Sequence, residues 1–394
     1  MSKGLRLIVL GAMGRIPFAG MAWEVLHYLE GFRRLGHDVY YIEDTGAWPY
    51  DPESDTSTPD CSYTVRYIAQ LMNSCGMPER WAYRATEPDG RIYGMSESRF
   101  SQVFEQADAL FNLTASTVLR DEHLTVPVRV LLQTDPGGDE ILAAKSDRRT
   151  LDMLAAHTHF FTFAENHRAA DCLVPALPFN YRATRQPIVL DWYTPPAVPA
   201  SNGMRPRPLR FTTVGNWRQS EEVEWQGEVY AWSKYPQFMK FLDVPRHIGQ
   251  PIELALGSID EEATCLLVSY GWQVVDATSF GRDILSFRDY IFGSDGEFTV
   301  AKDQYVRLRT GWFSERSASY LAAGKPVITQ ETGFSRIIPT GQGLFPFSTM
   351  DEIVAAFDAV QSDYARHSLA ARRIAEEYFR AEAVLAKLMD DVGV

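Results

Sequence analysis

Apolar positions along the chain alternate between short unbroken runs and longer stretches at helical spacing. Residues 5–10, LRLIVL, form a run long enough for a strand buried on both faces. A glycine-bearing loop, GAMGRIPFAG, follows it. Trp23, Leu26, Leu29, Phe32 and Leu35 then recur at the period of a helix over 19–35, and Gly36 ends it. A second apolar run at 39–42 completes a strand–helix–strand start, which requires parallel strands. Further strands are expected at 109–114 (ALFNLT), 128–135 (VRVLLQTD) and 158–166 (THFFTFAEN), each ending in polar or small residues. Ligands of open α/β sheets sit beyond the carboxyl ends of the strands, so Asp135, Glu165 and Asn166 are expected in a cleft.

The pattern breaks once, at 194–208, where TPPAVPASNGMRPRP carries five prolines and suits a linker. It then restarts, with strands expected at 209–217, 252–257, 272–277 and 325–330 and a helical tail from 350 to about 389. A chain of 394 residues exceeds what one core usually serves. The expected plan is α/β, two Rossmann-like domains facing a cleft. The first spans 1–200 and the second 208–370, with a terminal helix at 371–394 able to pack back on the first.

Composition narrows the partners. The net charge of −13 and a pI near 5.2 repel phosphate backbones and anionic lipid unless a basic patch is concentrated locally. Cys61, Cys75, Cys172 and Cys265 show no metal-ligand spacing and read as reduced thiols, which points to the cytoplasm. His157 and His159 flank a strand with no third ligand nearby, so no metal is expected. The amino-terminal apolar run is a strand, too short for a signal peptide or a membrane span.

The densest chemistry lies in GWFSERSASYLAAGKPVITQETGF, residues 311–334. Ser314 can cap a helix that Gly324 stops. The open amides of its first turn, with Arg316 beside them, suit a diphosphate. The next strand delivers Glu331, Thr332 and Gly333 to the same sheet edge, where glycine lets amides approach a ligand. The competing reading has Ser314 capping a packing helix, Arg316 paired with a carboxylate and Gly333 making a turn.

The order YLAAGKPVITQETGF followed by GQGLFPFSTMDEIVAAF resembles the carboxyl-terminal donor domain of GT-B glycosyltransferases, the retaining nucleotide-sugar group in particular. The resemblance implies a metal-independent transfer of sugar from a nucleoside diphosphate sugar, UDP-linked, to a hydroxyl of a small-molecule or glycan acceptor, with no further cofactor. It implies a donor site made of Ser314, Glu315, Arg316 and the Thr332, Gly333, Phe334, Ser335 loop. Asn216 and Arg218 occupy the position where such domains offer a basic group, and Lys302 is a further candidate. Trp272 and Asp276 would frame the nucleoside. Gly14 and Arg15 in the first loop, with Asn166, would face the acceptor or the cleft. Retaining members carry two Glu around this helix; the aligned positions here hold Trp312 and Ser319, with Glu315 close by, and the stereochemistry stays open.

The first loop reads neither GxGxxG nor a Walker sequence. It also lacks the His base of inverting relatives, and His27 reads as a packing residue. Asp135 and Glu165, with Asp44 third, are the candidate bases. An epimerase of the same fold and a noncatalytic nucleotide-sugar or glycan-binding protein are the competing classes. Modified DNA as acceptor is opposed by the acidity.

Overall fold

The computed structural model describes residues 4–86, 90–195 and 208–394. Residues 196–207 of the expected linker therefore lie outside the described residues. Two parallel sheets carry the fold. The first has eight strands, in the order Tyr181–Ala183, His159–Thr162, Val128–Gln133, Ala109–Leu113, Arg6–Leu10, Asp38–Glu43, Trp81–Arg84 and Ile92–Gly94. Only the last, Ile92–Gly94, runs antiparallel to its neighbour. The second has six parallel strands, in the order Gln273–Asp276, Ile252–Gly257, Phe211–Asn216, Gly296–Thr299, Val327–Gln330 and Leu344–Phe347.

Why these segments became strands follows from burial. Leu7, Ile8, Val9 and Leu10 are fully buried, as a central parallel strand covered by helices on both faces must be. The helix Ala19–Arg34 buries Trp23, Leu26, Leu29 and Phe32 on one stripe, the face the periodicity selected. Strand order reverses direction of growth at Arg6–Leu10 in one sheet and at Phe211–Asn216 in the other, so each sheet has a switch point at its first strand.

The tail is three α-helices, Met350–Ser362, Tyr364–Ile374 and Ala381–Val392, the last two joined by the π-helix Ala375–Phe379. Asp363 ends the first and caps the second, its carboxylate accepting from Arg366 N at 3.1 Å. The third lies on the helix Ala19–Arg34: a Cβ at Gly31 would meet Leu385 Cδ1 at 2.4 Å, and Arg34 pairs with Glu382 at 3.2 Å. No helix among the described residues is long and apolar enough to cross a membrane. Leu385 is fully buried in this contact. Leu385→Ala should cost about 2–5 kcal/mol in denaturant unfolding, the range for a large aliphatic lost from a packed site.

Candidate active site

The two sheets meet through the loops at their carboxyl ends. Asp135, just past Val128–Gln133, accepts from Lys302 Nζ at 2.7 Å, and Lys302 lies just past Gly296–Thr299. The Tyr305 hydroxyl donates to the same carboxylate. The Trp312 indole N–H donates to Thr134 O at 3.0 Å, and Trp312 stacks on Tyr305 at 4.2 Å between centroids. These contacts put residues of both sheets in one polar junction.

On the second sheet's side, cations gather around Thr299. Arg316, in the first turn of the helix Glu315–Ala322, donates through Nη2 to Thr299 Oγ1 at 3.1 Å. Lys234 Nζ donates to that same oxygen at 3.0 Å. Arg316 also binds the Val214 carbonyl and, at 2.6 Å, the fully buried Glu297. Lys234 has no carboxylate bonded to it among the described residues. Burial, with the charges of Arg316 and Lys302 adding to it, pushes its ammonium well below the usual lysine range, while Glu297 opposes that fall. Over this cluster stands the amino terminus of Glu315–Ala322. The Ser314 hydroxyl does not cap it, and the first of its amides with a backbone partner is that of Ala318, bonded to Ser314 O at 3.0 Å. Open amides beside two cations make an anion site.

Carboxyl groups lie around the junction and the start of this helix. Glu24, on Ala19–Arg34, is raised to about 7 by burial and by the charge of Asp135, against a hydrogen bond with Thr134. Glu315 is raised to about 8 by burial and then by the charge of Glu24. Glu315 stays largely protonated near neutral pH and Glu24 titrates through it, which limits the negative charge these carboxyls set against the cations.

Several expected contributors are committed elsewhere. Glu165 pairs with Arg185, whose guanidinium lies 5.3 Å from the Tyr378 ring centroid. The Thr332 hydroxyl donates to Trp312 O at 2.6 Å, and the Gly333 amide donates to the Glu331 carboxylate. Gly333, at φ 109°, packs on Asn166, whose Cβ lies 3.2 Å from where a Gly333 Cβ would stand. Phe334 is buried against Phe313, with Ser335 half-buried behind it. The Thr332 hydroxyl and the Gly333 amide are therefore occupied at the seam between the sheets. Asn166 belongs to the same seam, its amide side chain donating to Arg309 O at 2.8 Å.

The Gly14 and Arg15 amides both donate to Glu43, at 2.8 Å and 2.5 Å, which takes the backbone of the first loop out of acceptor contact. Trp272 is a core residue, its indole donating to Leu242 O at 2.6 Å, and Asp276 caps its own turn at Thr278 N, 2.8 Å. Asp276 is nonetheless exposed, as are Asn216 and Arg218; Arg218 lies 4.1 Å from the Tyr235 ring centroid. Asp44 is held by Arg84 and Arg120. It also forms, with Glu122 and His123, the group whose ligand atoms lie close enough for a metal ion. The His123 Nδ1 accepts from Arg120 N at 3.0 Å, so its proton sits on Nε2 toward Asp44, 3.6 Å away, and that nitrogen offers no lone pair.

Lys234, Glu24 and Glu297 were not anticipated. Lys234 stands 65 residues before the Thr299 it binds, so no local motif contains the pair. Glu297 had a signal: an acidic residue within the apolar run EFTV must find a cation.

No protein-family model matches the chain, and no curated protein matches it in sequence. Solved structures do match in shape. An α-glucosyltransferase in complex with UDP and a 13-mer DNA containing a HMU base aligns at TM-score 0.59 and 10% identity, over 99% of this chain and 100% of that one. AviGT4, a glycosyltransferase involved in avilamycin A biosynthesis, aligns at 0.53 and 11%, over 98% and 97%. The sucrose-phosphate synthase of Thermosynechococcus elongatus aligns at 0.53 and 12%, over 98% of each. The chain has the GT-B fold. Coverage of nearly the whole length on both sides means that both sheets, and not one Rossmann-like half alone, take part in the likeness.

Raised carboxyls leave a mark on stability. Glu24, Glu43 and Glu140 at about 7 and Glu315 at about 8 stand above the usual 4.5, so the stability their acid forms contribute is lost as pH rises through those values. The buried neutral His27 at about 3 and His157 at about 4 act the other way, but only below their usual 6.5. The melting temperature should therefore fall from pH 6.5 to pH 8, and Glu24→Gln should make that fall shallower.

Proposed function

We propose that this chain is a glycosyltransferase that moves a sugar from a nucleoside diphosphate sugar, UDP-linked in the first instance, to a hydroxyl-bearing acceptor. The observation that carries the reading is the convergence of Lys234 and Arg316 on Thr299 Oγ1 beneath the open helix amino terminus. A departing diphosphate develops negative charge on its bridging oxygen, and prearranged cations and amides stabilise it most in a site shielded from water. Lys234, Arg316 and the first-turn amides supply that charge here, which allows a metal-independent transfer. Asn216, Arg218 and Asp276, exposed along the same sheet edge, are left to contact the nucleoside. Glu24 has the raised value a general base needs near neutral pH, and Asp135, held by Lys302 and Tyr305, positions the acceptor beside it.

A small molecule or glycan fits the acceptor role better than DNA. The α-glucosyltransferase complexes contain DNA, but this chain carries a net charge of −13, which opposes a polyanion. Four free cysteines fit a cytoplasmic enzyme. An epimerase on the same fold remains a second reading, favoured by the gathering of Glu24, Asp135 and Glu315. Incubation with UDP-sugar alone separates the two. Epimer formed without an acceptor would establish the epimerase; release of UDP only when an acceptor is added would establish the transferase.

Lys234→Met should weaken UDP binding by about 1.5–3 kcal/mol in calorimetry, the range for a hydrogen bond to a charged group. Arg316→Ala should weaken it comparably, whereas Thr332→Val should leave it within about twofold. Equal affinity for wild type and Lys234→Met would remove the cation pair from the site.

A further inference from the structure

We infer that His27 is a positioning residue for Glu315, fixing across the domain junction the carboxyl that tops the helix at the donor site. The inference rests on the donor reading above. His27 lies on Ala19–Arg34 and is fully buried. Its Nδ1 accepts from Val189 N at 3.2 Å, so the proton of the neutral ring is on Nε2. That nitrogen is 3.7 Å from Glu315 Oε1 and has no hydrogen-bond partner of its own among the described residues.

The ring is packed in an aromatic cluster, against Trp23 at 5.7 Å and 25°, Trp192 at 5.4 Å and 30° and Tyr193 at 5.7 Å, with the two indoles 5.5 Å from each other. Glu315 Oε1 meanwhile accepts from Ser319 Oγ at 3.1 Å. One oxygen of the carboxyl is therefore approached by two donors, one from each domain, which leaves the other oxygen as the one to meet a ligand. A residue that only filled the aromatic cluster would need no N–H aimed at an acid, and phenylalanine would serve.

The charged and titratable groups facing this pair are few. Glu315 meets Glu24, Arg316 and Glu297, with the Tyr193 phenol beside it; His27 meets Arg34. Burial holds His27 neutral and Glu315 protonated at neutral pH. When Glu315 ionises, a slight closing of the gap turns the Nε2–H into a full donor, so the contact favours the carboxylate and lowers the pH at which it forms.

The test reads the Glu315 carboxyl directly, by carbon NMR of glutamate-labelled wild-type, His27→Phe and His27→Gln proteins titrated from pH 6 to 9, with Glu315→Gln to assign the signal. His27→Phe should move the midpoint upward by on the order of one pH unit, and His27→Gln, whose amide can replace the Nε2–H, should return it toward wild type. Midpoints that coincide in wild type and His27→Phe would overturn the inference. Thermal melting identifies a variant that has lost its fold, in which case the His27→Gln midpoint decides: a value near wild type supports the contact, and one displaced by as much as full loss of the donor opposes it. Calorimetry with UDP at pH 7 and 9 forms a separate arm. Weaker binding at the higher pH, absent in Glu315→Gln, ties the carboxyl to the donor site. No binding of UDP by wild type would instead strike the donor reading, with the NMR midpoints still judging the contact.

Discussion

Two cations share one hydroxyl oxygen at the end of the strand Gly296–Thr299, and the architecture of the second sheet is arranged to permit it. Like charges this close repel, and in a half-dry setting the repulsion is larger than in water. Glu297, fully buried on the same strand, offsets Arg316, and burial together with the Arg316 charge pulls the Lys234 ammonium well below the usual lysine range. Such an arrangement costs stability unless an anion completes it. Functional sites commonly hold groups in this condition, poised for a ligand that satisfies them.

The parallel sheet explains why the cluster lies where it does. All six strands of the second sheet send their carboxyl ends the same way, so Val214 O, Thr299 and the start of Glu315–Ala322 fall along one edge. Arg316 spans them, tying two neighbouring strands to the helix that follows. A helix amino terminus at that edge adds its partial positive charge to the cations without adding another side chain. The first sheet answers from the opposite side with Asp135 and Thr134, also at a strand end.

The seam between the sheets is held by polar contacts of high directional demand. Asp171 is bound by Arg309 at 2.6 Å and by Arg336, and these hold its carboxyl down at about 2. Gly311 N donates to Thr332 O at 2.7 Å, and Asn166 N to Thr310 O at 3.0 Å. Gly311 has φ 77° and so little room that a Cβ would stand 2.3 Å from Asn166 N. In the Thr332–Gly333 loop, which has the look of a phosphate cradle, the Thr332 hydroxyl and carbonyl take part in this junction. Its glycine gives room to the Asn166 side chain, which is the other physical use of a residue without a side chain.

Local pattern determined most of the elements: apolar runs for the parallel strands, helical spacing at Trp23, Leu26, Leu29 and Phe32, and the stop at Gly324 after Glu315–Ala322. Those features depend on near neighbours, and the order of residues states them openly. The strand at Gly296–Thr299 and its Glu297 were less visible, because a single buried acid reads as exposed until its cation is known. Only tertiary structure decided which polar groups would be free. Thr332, Gly14 and Glu165 had the chemistry of a site but met partners distant in sequence, while Lys234 and Arg316 were carried to one hydroxyl by separate elements and Glu24 was set beside Thr134 and Asp135. The physical reason is that a hydrogen-bonding group is spent by whichever partner reaches it first, and which partner that is depends on the whole fold rather than on neighbouring residues.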